Sequence, residues 1–396
     1  MKKVLFACYG SGHVRMVLPL ARALQGRAYV QVLGLTTAAI DVREAGLPLL
    51  QFKDFIEAGD EAALARGREL SATLSNVVDP EETAAYLGLS YADLEAEVGA
   101  QEAAARYARD GRQAFLPRRT LRRILQRVQP DLLVATNSPR AERAAIEAAR
   151  ERGIPAVCIV DLFAVDEVRW IGRPGYADKV CVLNEAVRDF LVAAGRQPRE
   201  IVVTGNPAFD ALQAPGLAQQ GAALRAKQGW QGKRVLLWPA QVEPALHPFD
   251  GTPGDPTLPD RALNSLVDWT LAQPDAVLCV RARSGQALPP LPAHERIVLT
   301  GQDWPLPPLL HAVDLVVTLT STVGLEGHLA GARLVQVLGS VFDAAMPLQR
   351  FGIADAAVPL ADLPKALDRF SRAGRRATQG EGGATERVLA VLDGFL

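Results

Sequence analysis

The sequence predicts an α/β protein of two parallel-sheet domains, the first of which carries an added block of helices. Two observations carry this prediction: short apolar strands alternate with amphipathic helices, and the alternation restarts after residue 233. The length of 396 residues also suits two domains better than one. We therefore expect a parallel-sheet α/β domain over 1–205, a connector with a helix over 206–232 and a second parallel-sheet α/β domain over 233–396.

In the first domain, apolar β-branched runs predict strands, and the segments between them have helical spacing. The predicted strands are 3–8, 29–36, 129–135, 156–160, 179–183 and 200–204. The predicted helices are 15–24, 37–45 and 140–152. Residues 54–127 interrupt this rhythm, because they are rich in Ala, Glu and Arg and have almost no strand signal. We interpret 54–127 as a helical insertion.

The second domain repeats the alternation. The predicted strands are 234–238, 276–280, 296–299, 315–318 and 334–338, and the predicted helices are 260–272, 306–311, one starting at 324, and 384–392. The helix 384–392 is at the end of the chain and can pack back on the first domain. Residues 239–259 contain many prolines and glycines, which is typical of a long functional loop.

Composition excludes several classes of protein. A formal net charge of -1 gives no general attraction to nucleic acid or to anionic membranes. The four cysteines are scattered along the chain, which favours small buried side chains over a disulfide framework or a metal cluster. No apolar run reaches about 18 residues, so no transmembrane segment is predicted. The start of the chain lacks the pattern of a signal peptide, and we expect a cytoplasmic protein.

A glycine-containing loop follows the first predicted strand. Its sequence over 9–15 is Tyr-Gly-Ser-Gly-His-Val-Arg, and Gly10 and Gly12 allow the backbone to turn and to approach a ligand. Open α/β sheets bind ligands at the carboxyl ends of their strands, which places His13 at the mouth of a site, where it can transfer a proton. The alternative is a tight turn whose histidine caps a helix. The spacing differs from Gly-x-Gly-x-x-Gly, which argues against an NAD enzyme.

A second candidate site follows the predicted strand 315–318. Thr320, Ser321 and Thr322 place three hydroxyls at the start of a helix, where free backbone N–H groups and the helix dipole bind anions. Glu326 lies about one turn further on, where its carboxylate can accept hydrogen bonds from a ribose. Together these residues suggest a site for a nucleoside diphosphate. The alternative is an ordinary capped helix with a solvated glutamate.

Three further groups of residues have both a functional and a structural interpretation. Asp161 follows a strand of the first sheet and can either orient His13 or cap a helix. Arg281 and Arg283 end a strand of the second sheet, where they can clamp phosphates or form exposed salt bridges. A run of arginines gives one predicted helix a basic face, which is either solvated or touches an anionic acceptor or a membrane surface. The members of this run are Arg118, Arg119, Arg122 and Arg123.

Several of these segments resemble those of GT-B glycosyltransferases and of the UDP-N-acetylglucosamine 2-epimerase superfamily. The first-loop Gly-x-Gly-His followed by an amphipathic helix is similar to the opening of GT-B glycosyltransferases. The segment 202–212 (Val-Val-Thr-Gly-Asn-Pro-Ala-Phe-Asp-Ala-Leu) looks like the Thr-Gly-Asn-x-x-x-Asp-Ala-Leu stretch of the epimerase superfamily. The segment 320–326 resembles the nucleotide-diphosphate segment of both groups. The motifs occur in the same order as in these families.

The resemblance implies two Rossmann-like domains with an active site in the cleft between them. It implies that Ser321, Thr322 and Val323 present the phosphate-binding turn, that Glu326 holds the ribose, and that Gly205 and Asn206 belong to the nucleotide-sugar site. Two departures argue against epimerisation. The His-Arg-Arg-Glu segment of the 2-epimerases is replaced by Trp-Pro-Ala-Gln-Val-Glu-Pro over 238–244, and their Gly-Asp after the fourth strand is replaced by Asn-Ser at 137–138.

From these observations we expect a glycosyltransferase that moves a sugar from a nucleotide-diphosphate donor, with UDP as the expected nucleotide, to an acceptor hydroxyl. His13 is expected to act as the general base, and no metal ion or other cofactor is expected, because no Asp-x-Asp lies in a site-like loop. The expected acceptor is a lipid-linked compound or a glycan in polysaccharide, glycolipid or natural-product assembly, and a homodimer is possible. The alternatives are a sugar-nucleotide hydrolase or 2-epimerase on the same scaffold, and a non-catalytic nucleotide-sugar binder.

Overall fold

The computed structural model of the protein describes residues 1–10, 12–72, 74, 79–282, 288–301, 303–376 and 383–396. The chain divides into two compact units. The first unit comprises Met1–Ala208 together with Gly383–Leu396, and the second comprises Phe209–Gly382. No helix in these described ranges combines the length and the apolar character needed to cross a lipid bilayer.

The first unit is built on a seven-stranded, all-parallel sheet. Its strands are β1 (Lys3–Cys8), β2 (Tyr29–Gly34), β3 (Leu49–Leu50), β4 (Leu132–Thr136), β5 (Ala156–Ile159), β6 (Lys179–Val182) and β7 (Ile201–Val203). They are arranged in the order β3-β2-β1-β4-β5-β6-β7. The strand order reverses between β1 and β4, and ligands of such sheets bind at the carboxyl ends of the strands beside this reversal.

Nine helices between residues 12 and 193 belong to this unit in its described part. They are α1 (Gly12–Leu24), α2 (Ala38–Glu44), α3 (Glu61–Ser71), α4 (Pro80–Val98), α5 (Ala100–Asp110), α6 (Arg118–Val128), α7 (Ala141–Glu151), α8 (Val168–Ile171) and α9 (Glu185–Ala193). The predicted insertion consists of α3 to α6 with short 3-10 turns. Glu82 of α4 anchors it, because its buried carboxylate accepts hydrogen bonds from the backbone N–H groups of Phe52 (3.1 Å) and Lys53 (2.9 Å).

The second unit has a six-stranded, all-parallel sheet in the order β10-β9-β8-β11-β12-β13. Its strands are β8 (Arg234–Pro239), β9 (Ala276–Arg281), β10 (Ile297–Thr300), β11 (Leu315–Thr318), β12 (Arg333–Leu338) and β13 (Ala356–Pro359). Its helices are α10 (Leu217–Lys227), α11 (Leu258–Ala272), α12 (Leu306–Ala312), α13 (Thr322–Leu329) and α14 (Leu363–Phe370). The order reverses between β8 and β11, which makes the ends of these two strands the expected ligand edge.

Both sheets match the predicted parallel α/β architecture, with local differences. Strands β3 and β13 and helices α8, α9 and α14 were not predicted. The segment 206–232, interpreted as a connector with a helix, does contain a helix, α10, but this helix packs on α12 inside the second unit. A Cβ on Gly221 of α10 would lie 2.7 Å from the carbonyl carbon of His311, so glycine allows this close packing.

The final helix, α15 (Ala384–Asp393), packs in the first unit. Its Val388 and Leu392 share a hydrophobic core with residues of α1 and β1. Arg27 adds an ion pair with Asp393, with an N–O distance of 2.6 Å. Because apolar burial dominates such contacts, α15 is an integral element of the first unit although it is distant in sequence.

Candidate active site

The loop after β1 positions His13 at the strand-order reversal of the first sheet. Gly10 packs tightly there, since a Cβ on it would lie 1.8 Å from Oγ1 of Thr37, whereas Gly12 has open space around it. Helix α1 begins at Gly12, and His13 is its second residue. The tight contact of Gly10 fixes the direction in which the chain leaves β1, and therefore where the imidazole lies. Ser11 lies outside the described residues.

Asp161 lies directly beside the imidazole of His13. Its Oδ2 is 3.9 Å from Nε2 of His13, and the two side chains are 34% and 23% exposed. Asn137, at the end of β4, fixes the aspartate by two reciprocal hydrogen bonds. Its Nδ2 donates to Oδ1 of Asp161 (2.9 Å), and its Oδ1 accepts from the Asp161 backbone N–H (3.0 Å). The structure thus brings together the two predicted catalytic side chains.

Asn206 supports the same loop from behind. Its Nδ2 donates to the backbone carbonyl of Asp161 (2.7 Å), and its Oδ1 accepts from the N–H of Ala208 (2.8 Å). Gly205 has a φ of 75°, a conformation that favours glycine. These contacts make Asn206 a structural support of Asp161, and its predicted role as a ligand contact stays a prediction.

The loop after β5 holds a second acidic group. Burial, together with the nearby charge of Asp161, raises the pKa of Glu167 to about 7. In the same loop Ala164 has a φ of 52°, which costs a non-glycine residue about 1–2 kcal/mol. A carboxyl group with a pKa near neutrality is able to donate or accept a proton under ordinary conditions.

In the second unit, the hydroxyl-rich turn forms the start of α13, as the sequence indicated. Ser321 is the N-cap, and its Oγ accepts a hydrogen bond from the N–H of Val323 (3.3 Å). Its own N–H donates to Oγ1 of Thr318, the last residue of β11 (3.0 Å). Oε1 of Gln241 accepts from the backbone N–H of Thr320 (2.9 Å). The turn is thereby tied to the loop that follows β8.

Two glycines bring α13 unusually close to β11. A Cβ on Gly324 would lie 2.7 Å from Cγ2 of Thr318, and one on Gly327 would lie 2.5 Å from Cγ2 of Val316. Neither position accepts a larger residue without movement of the helix or the strand. This packing fixes the start of α13, with Thr322 exposed and Val323 partly exposed, at the carboxyl edge of the sheet.

Glu326 is half-buried on α13, and its charge acts on Arg281 at the end of β9. Burial lowers the pKa of Arg281, while the charges of Asp303 and Glu326 act in the opposite direction. Nη1 of Arg281 donates to the backbone carbonyls of Gly301 (3.1 Å) and Trp304 (2.9 Å). This nitrogen therefore supports a loop, and a phosphate contact by Arg281 stays a prediction. Arg283 lies outside the described residues.

A cavity of about 160 Å³ opens beside the loop after β8. The fully buried carboxylate of Glu243 lines it and ties this loop to the one after β12, by accepting from Oγ of Ser340 (2.8 Å) and from the N–H of Val341 (2.7 Å). Trp238, Gln241 and Asp260 line the same cavity. Because Gln241 also contacts the α13 turn, the cavity and the predicted diphosphate site are parts of one edge of the second sheet.

Most of the predicted basic face on α6 is paired within the protein. Arg118 pairs with Glu147 (2.6 Å), Arg122 with Glu151 (2.6 Å), and Arg123 with Asp60 (2.5 Å). These ion pairs favour the solvated, structural interpretation of the arginine run.

Asn137 and Glu167 were not predicted from the sequence as site residues, and Gln241 was predicted only as part of the functional loop 239–259. Each is a polar residue in the loop that follows a buried strand, and this placement was the available signal. Residue type alone gave no reason to prefer them to other polar residues in loops.

Solved structures of the GT-B fold match the whole chain. The calicheamicin glycosyltransferase CalG4 gives a TM-score of 0.58 at 16% identity, covering 100% of this chain and 98% of that chain. The UDP-GlcNAc 2-epimerase from Methanocaldococcus jannaschii gives 0.55 at 13% identity, covering 99% of both chains. The UDP-GlcNAc 2-epimerase from Neisseria meningitidis, bound to UDP-GlcNAc, gives 0.54 at 11% identity, covering 99% and 100%.

The protein therefore has the GT-B fold, as its motifs predicted. No family model and no curated protein matches the chain at the level of sequence. Glycosyltransferases and 2-epimerases share this scaffold, and identities this low establish the fold rather than the reaction.

Proposed function

We propose that the protein is a glycosyltransferase that transfers a sugar from a nucleotide-diphosphate donor to an acceptor hydroxyl. The observation that carries this proposal is the placement of His13 Nε2, 3.9 Å from Asp161, at the ligand edge of the first sheet of a GT-B fold. A partly exposed imidazole beside a carboxylate is suited to take a proton from a hydroxyl.

The second unit has the parts needed to hold the donor. The start of α13 offers the backbone N–H group of Thr322 to a diphosphate, and the helix dipole favours its negative charge. Glu326 has the acceptor oxygens for the ribose hydroxyls. The expected nucleotide is UDP, which is also the nucleotide of the matched epimerases.

In the proposed reaction, Nε2 of His13 takes the proton of the acceptor hydroxyl while the acceptor oxygen forms a bond to the anomeric carbon. The bond from that carbon to the phosphate oxygen breaks, and its electron pair leaves with the nucleoside diphosphate. The α13 turn stabilises this charge, so no metal ion is needed by the proposal. Attack opposite to the leaving group inverts the anomeric centre.

A sugar-nucleotide hydrolase or 2-epimerase is the second candidate. Glu167 favours it, because a carboxyl group with a pKa of about 7 beside Asp161 provides a second proton-transfer group in the first unit. The absence of the His-Arg-Arg-Glu segment argues against the 2-epimerase, because this segment supplies a histidine in those enzymes.

Two measurements test the proposal. A thermal-shift panel of nucleoside diphosphates first identifies the nucleotide, since a ligand of the native state raises the melting temperature. The matching sugar nucleotides are then incubated with and without a panel of hydroxyl acceptors, and products are identified by mass spectrometry. A transferase forms glycosylated acceptor and consumes donor slowly without it. Rapid donor hydrolysis or epimerisation without an acceptor would favour the second candidate.

A further inference from the structure

The cavity beside the loop after β8 has the size of a single sugar ring. Its volume is about 160 Å³. Pockets that bury drug-sized ligands begin at about 300 Å³, so this cavity suits one six-membered ring with its substituents and is too small for a whole nucleotide. Its walls combine apolar side chains with a few polar ones, as is typical of ligand sites. The lining includes Trp238, Pro259 and Leu263 on the apolar side and Gln241, Glu243 and Asp260 on the polar side.

Gln241 joins this cavity to the turn at the start of α13. It lines the cavity, and its Oε1 accepts hydrogen bonds from the backbone N–H of Thr320 (2.9 Å) and from Oγ1 of Thr318 (3.2 Å). A single side chain therefore separates the cavity from the turn that is proposed to hold the diphosphate. In a nucleotide-diphosphate sugar, the sugar ring is bonded directly to the outer phosphate. A diphosphate at the start of α13 thus brings its sugar ring to this cavity.

The polar groups of the cavity include two carboxylates. Glu243 is 3% exposed, and its two oxygens accept hydrogen bonds from Ser340 and Val341. A carboxylate has about four lone-pair sites, so each oxygen of Glu243 retains one for a ligand. Asp260 lies in the first turn of α11 and is exposed. Both groups are suited to accept hydrogen bonds from the hydroxyl groups of a sugar.

No cation balances these two carboxylates in the described part of the cavity lining. Residues 239–260 contain neither lysine nor arginine. Arg261 follows directly on α11 but is ion-paired with Asp255. Arg281, at the end of the neighbouring strand β9, donates to backbone carbonyls of the segment after β10. A negatively charged ligand group in the cavity would therefore meet like charges without a partner.

The start of α11 does not supply an anion site in place of such a cation. The N–H of Leu258 donates to the carbonyl of Asp255 (2.9 Å), and Pro259 has no N–H group to offer. The carboxylate of Asp260 already provides the negative charge that the positive end of the helix dipole favours. The helix start thus stabilises Asp260 as a carboxylate and leaves little attraction for a second anion.

On the basis of the proposed transferase activity, we propose that this cavity binds the sugar ring of the donor and that this sugar is uncharged or carries an amino group. Hydroxyl and ammonium groups donate hydrogen bonds to Glu243 and Asp260, whereas the carboxylate of a sugar acid is repelled by both. Glu243 is held by the fold, so Asp260 is the residue that sets the preference for charge.

Three UDP-sugars that share one hexose ring and differ in charge test this inference. They are UDP-glucosamine, UDP-glucose and UDP-glucuronic acid, and their binding to the full chain is measured by calorimetry with UDP as the reference for the nucleotide site. We expect UDP-glucuronic acid to bind at least about tenfold more weakly than UDP-glucose, and UDP-glucosamine to bind most tightly. Asp260→Asn should reduce the span between the two charged sugars at least about threefold and leave the UDP affinity within about twofold.

Asp268→Asn is the matched control for the loss of charge. Asp268 is exposed about two turns further along α11 and is not among the residues that line the cavity. This variant should keep the order and the span of the parent. Equal effects of Asp260→Asn and Asp268→Asn would overturn the inference, because the overall charge of the protein alone would then explain the preference.

The remaining outcomes separate this inference from the proposed function. UDP-glucuronic acid that binds to the parent as tightly as UDP-glucose would overturn the inference, and the proposed donor site at α13 would stand. A span that Asp260→Asn leaves unchanged would do the same. Failure of UDP and of all three UDP-sugars to bind would instead reject the proposed donor site, and this inference with it.

Discussion

Replacing Gly327 by alanine tests whether the close packing of α13 on β11 shapes the nucleotide site. The new Cβ would lie 2.5 Å from Cγ2 of Val316, well inside the usual carbon–carbon contact of about 3.5–4.0 Å. Its other close neighbours, Cβ of Val316 at 3.5 Å and Cδ2 of Leu310 at 3.7 Å, are ordinary contacts. The strain is therefore concentrated on one methyl group, and α13 must move by about 1 Å to relieve it.

The magnitude follows from two opposing terms. Overpacking a core costs about 1–3 kcal/mol, and the better helix propensity of alanine returns about 1 kcal/mol. We expect Gly327→Ala to destabilise the second unit by up to about 2 kcal/mol. The displaced turn should lose about one hydrogen bond to the nucleotide, which weakens UDP binding about tenfold.

Val316→Ala provides the matched rescue, because it removes the methyl group that the new Cβ meets. The double variant should be more stable than the sum of the two single effects predicts, with a coupling free energy of about 1 kcal/mol or more. Tryptophan fluorescence reports the unfolding of this unit, since Trp230, Trp238, Trp269 and Trp304 lie in it and Trp170 alone lies in the first unit. Titration calorimetry measures UDP binding. A Gly327→Ala protein with the stability and UDP affinity of the parent would refute this reasoning.

Four further predictions follow from single side chains. Asp161→Asn should lower turnover at least tenfold in steady-state kinetics and leave the UDP affinity within about twofold in calorimetry, because Asp161 lies beside His13 in the first unit. An equal loss of turnover and of UDP affinity would contradict the assigned role. Ser321→Ala removes the N-cap of α13 and should cost the second unit about 1 kcal/mol, or about 2–4 °C in its melting temperature; an unchanged melting curve would count against the cap. Turnover should be insensitive to EDTA, and strict dependence on an added divalent cation would reject metal-independent catalysis. Burial raises the pKa of Glu82 from 4.5 to about 7, so this side chain binds its proton more tightly in the folded state. Its contribution to the free energy of unfolding is fully present below about pH 4.5 and is lost as the pH rises through 7. The loss amounts to at most about 3 kcal/mol. Urea unfolding at pH 5 and pH 8 should show a smaller pH dependence for Glu82→Gln than for the parent, and equal dependence would contradict this.

The strands that are predicted best from the sequence are continuous apolar runs bounded on both sides by loop residues. β1 and β11 are found at the predicted residues, because β-branched and apolar side chains fill each strand and a polar loop follows it. β3 has only two residues, and β13 is Ala-Ala-Val-Pro, so neither offers a periodic signal. Helix α1 starts three residues before the predicted Arg15, because glycine at position 12 was interpreted as part of the loop.

Residues of the candidate site were predictable only where the residue type and its position in the sequence both indicate a catalytic or ligand-binding role. His13 after the first strand and Ser321 before a helix meet this condition. Asn137 does not, since an asparagine that follows a strand is ordinarily a turn residue. Its hydrogen bonds to Asp161 depend on the pairing of β4 with β5, which brings together two residues that lie 24 positions apart in the sequence. Such long-range pairing is invisible in local sequence patterns.

The most direct test of the account compares His13→Ala and Glu326→Ala with the parent, once a donor and an acceptor have been identified. Calorimetry with UDP and turnover under saturating donor are measured on the same preparations. We predict that His13→Ala binds UDP like the parent and loses at least about 100-fold in turnover, whereas Glu326→Ala binds UDP more weakly. Parental turnover by His13→Ala, or parental UDP affinity of Glu326→Ala, would contradict the roles assigned to the two units.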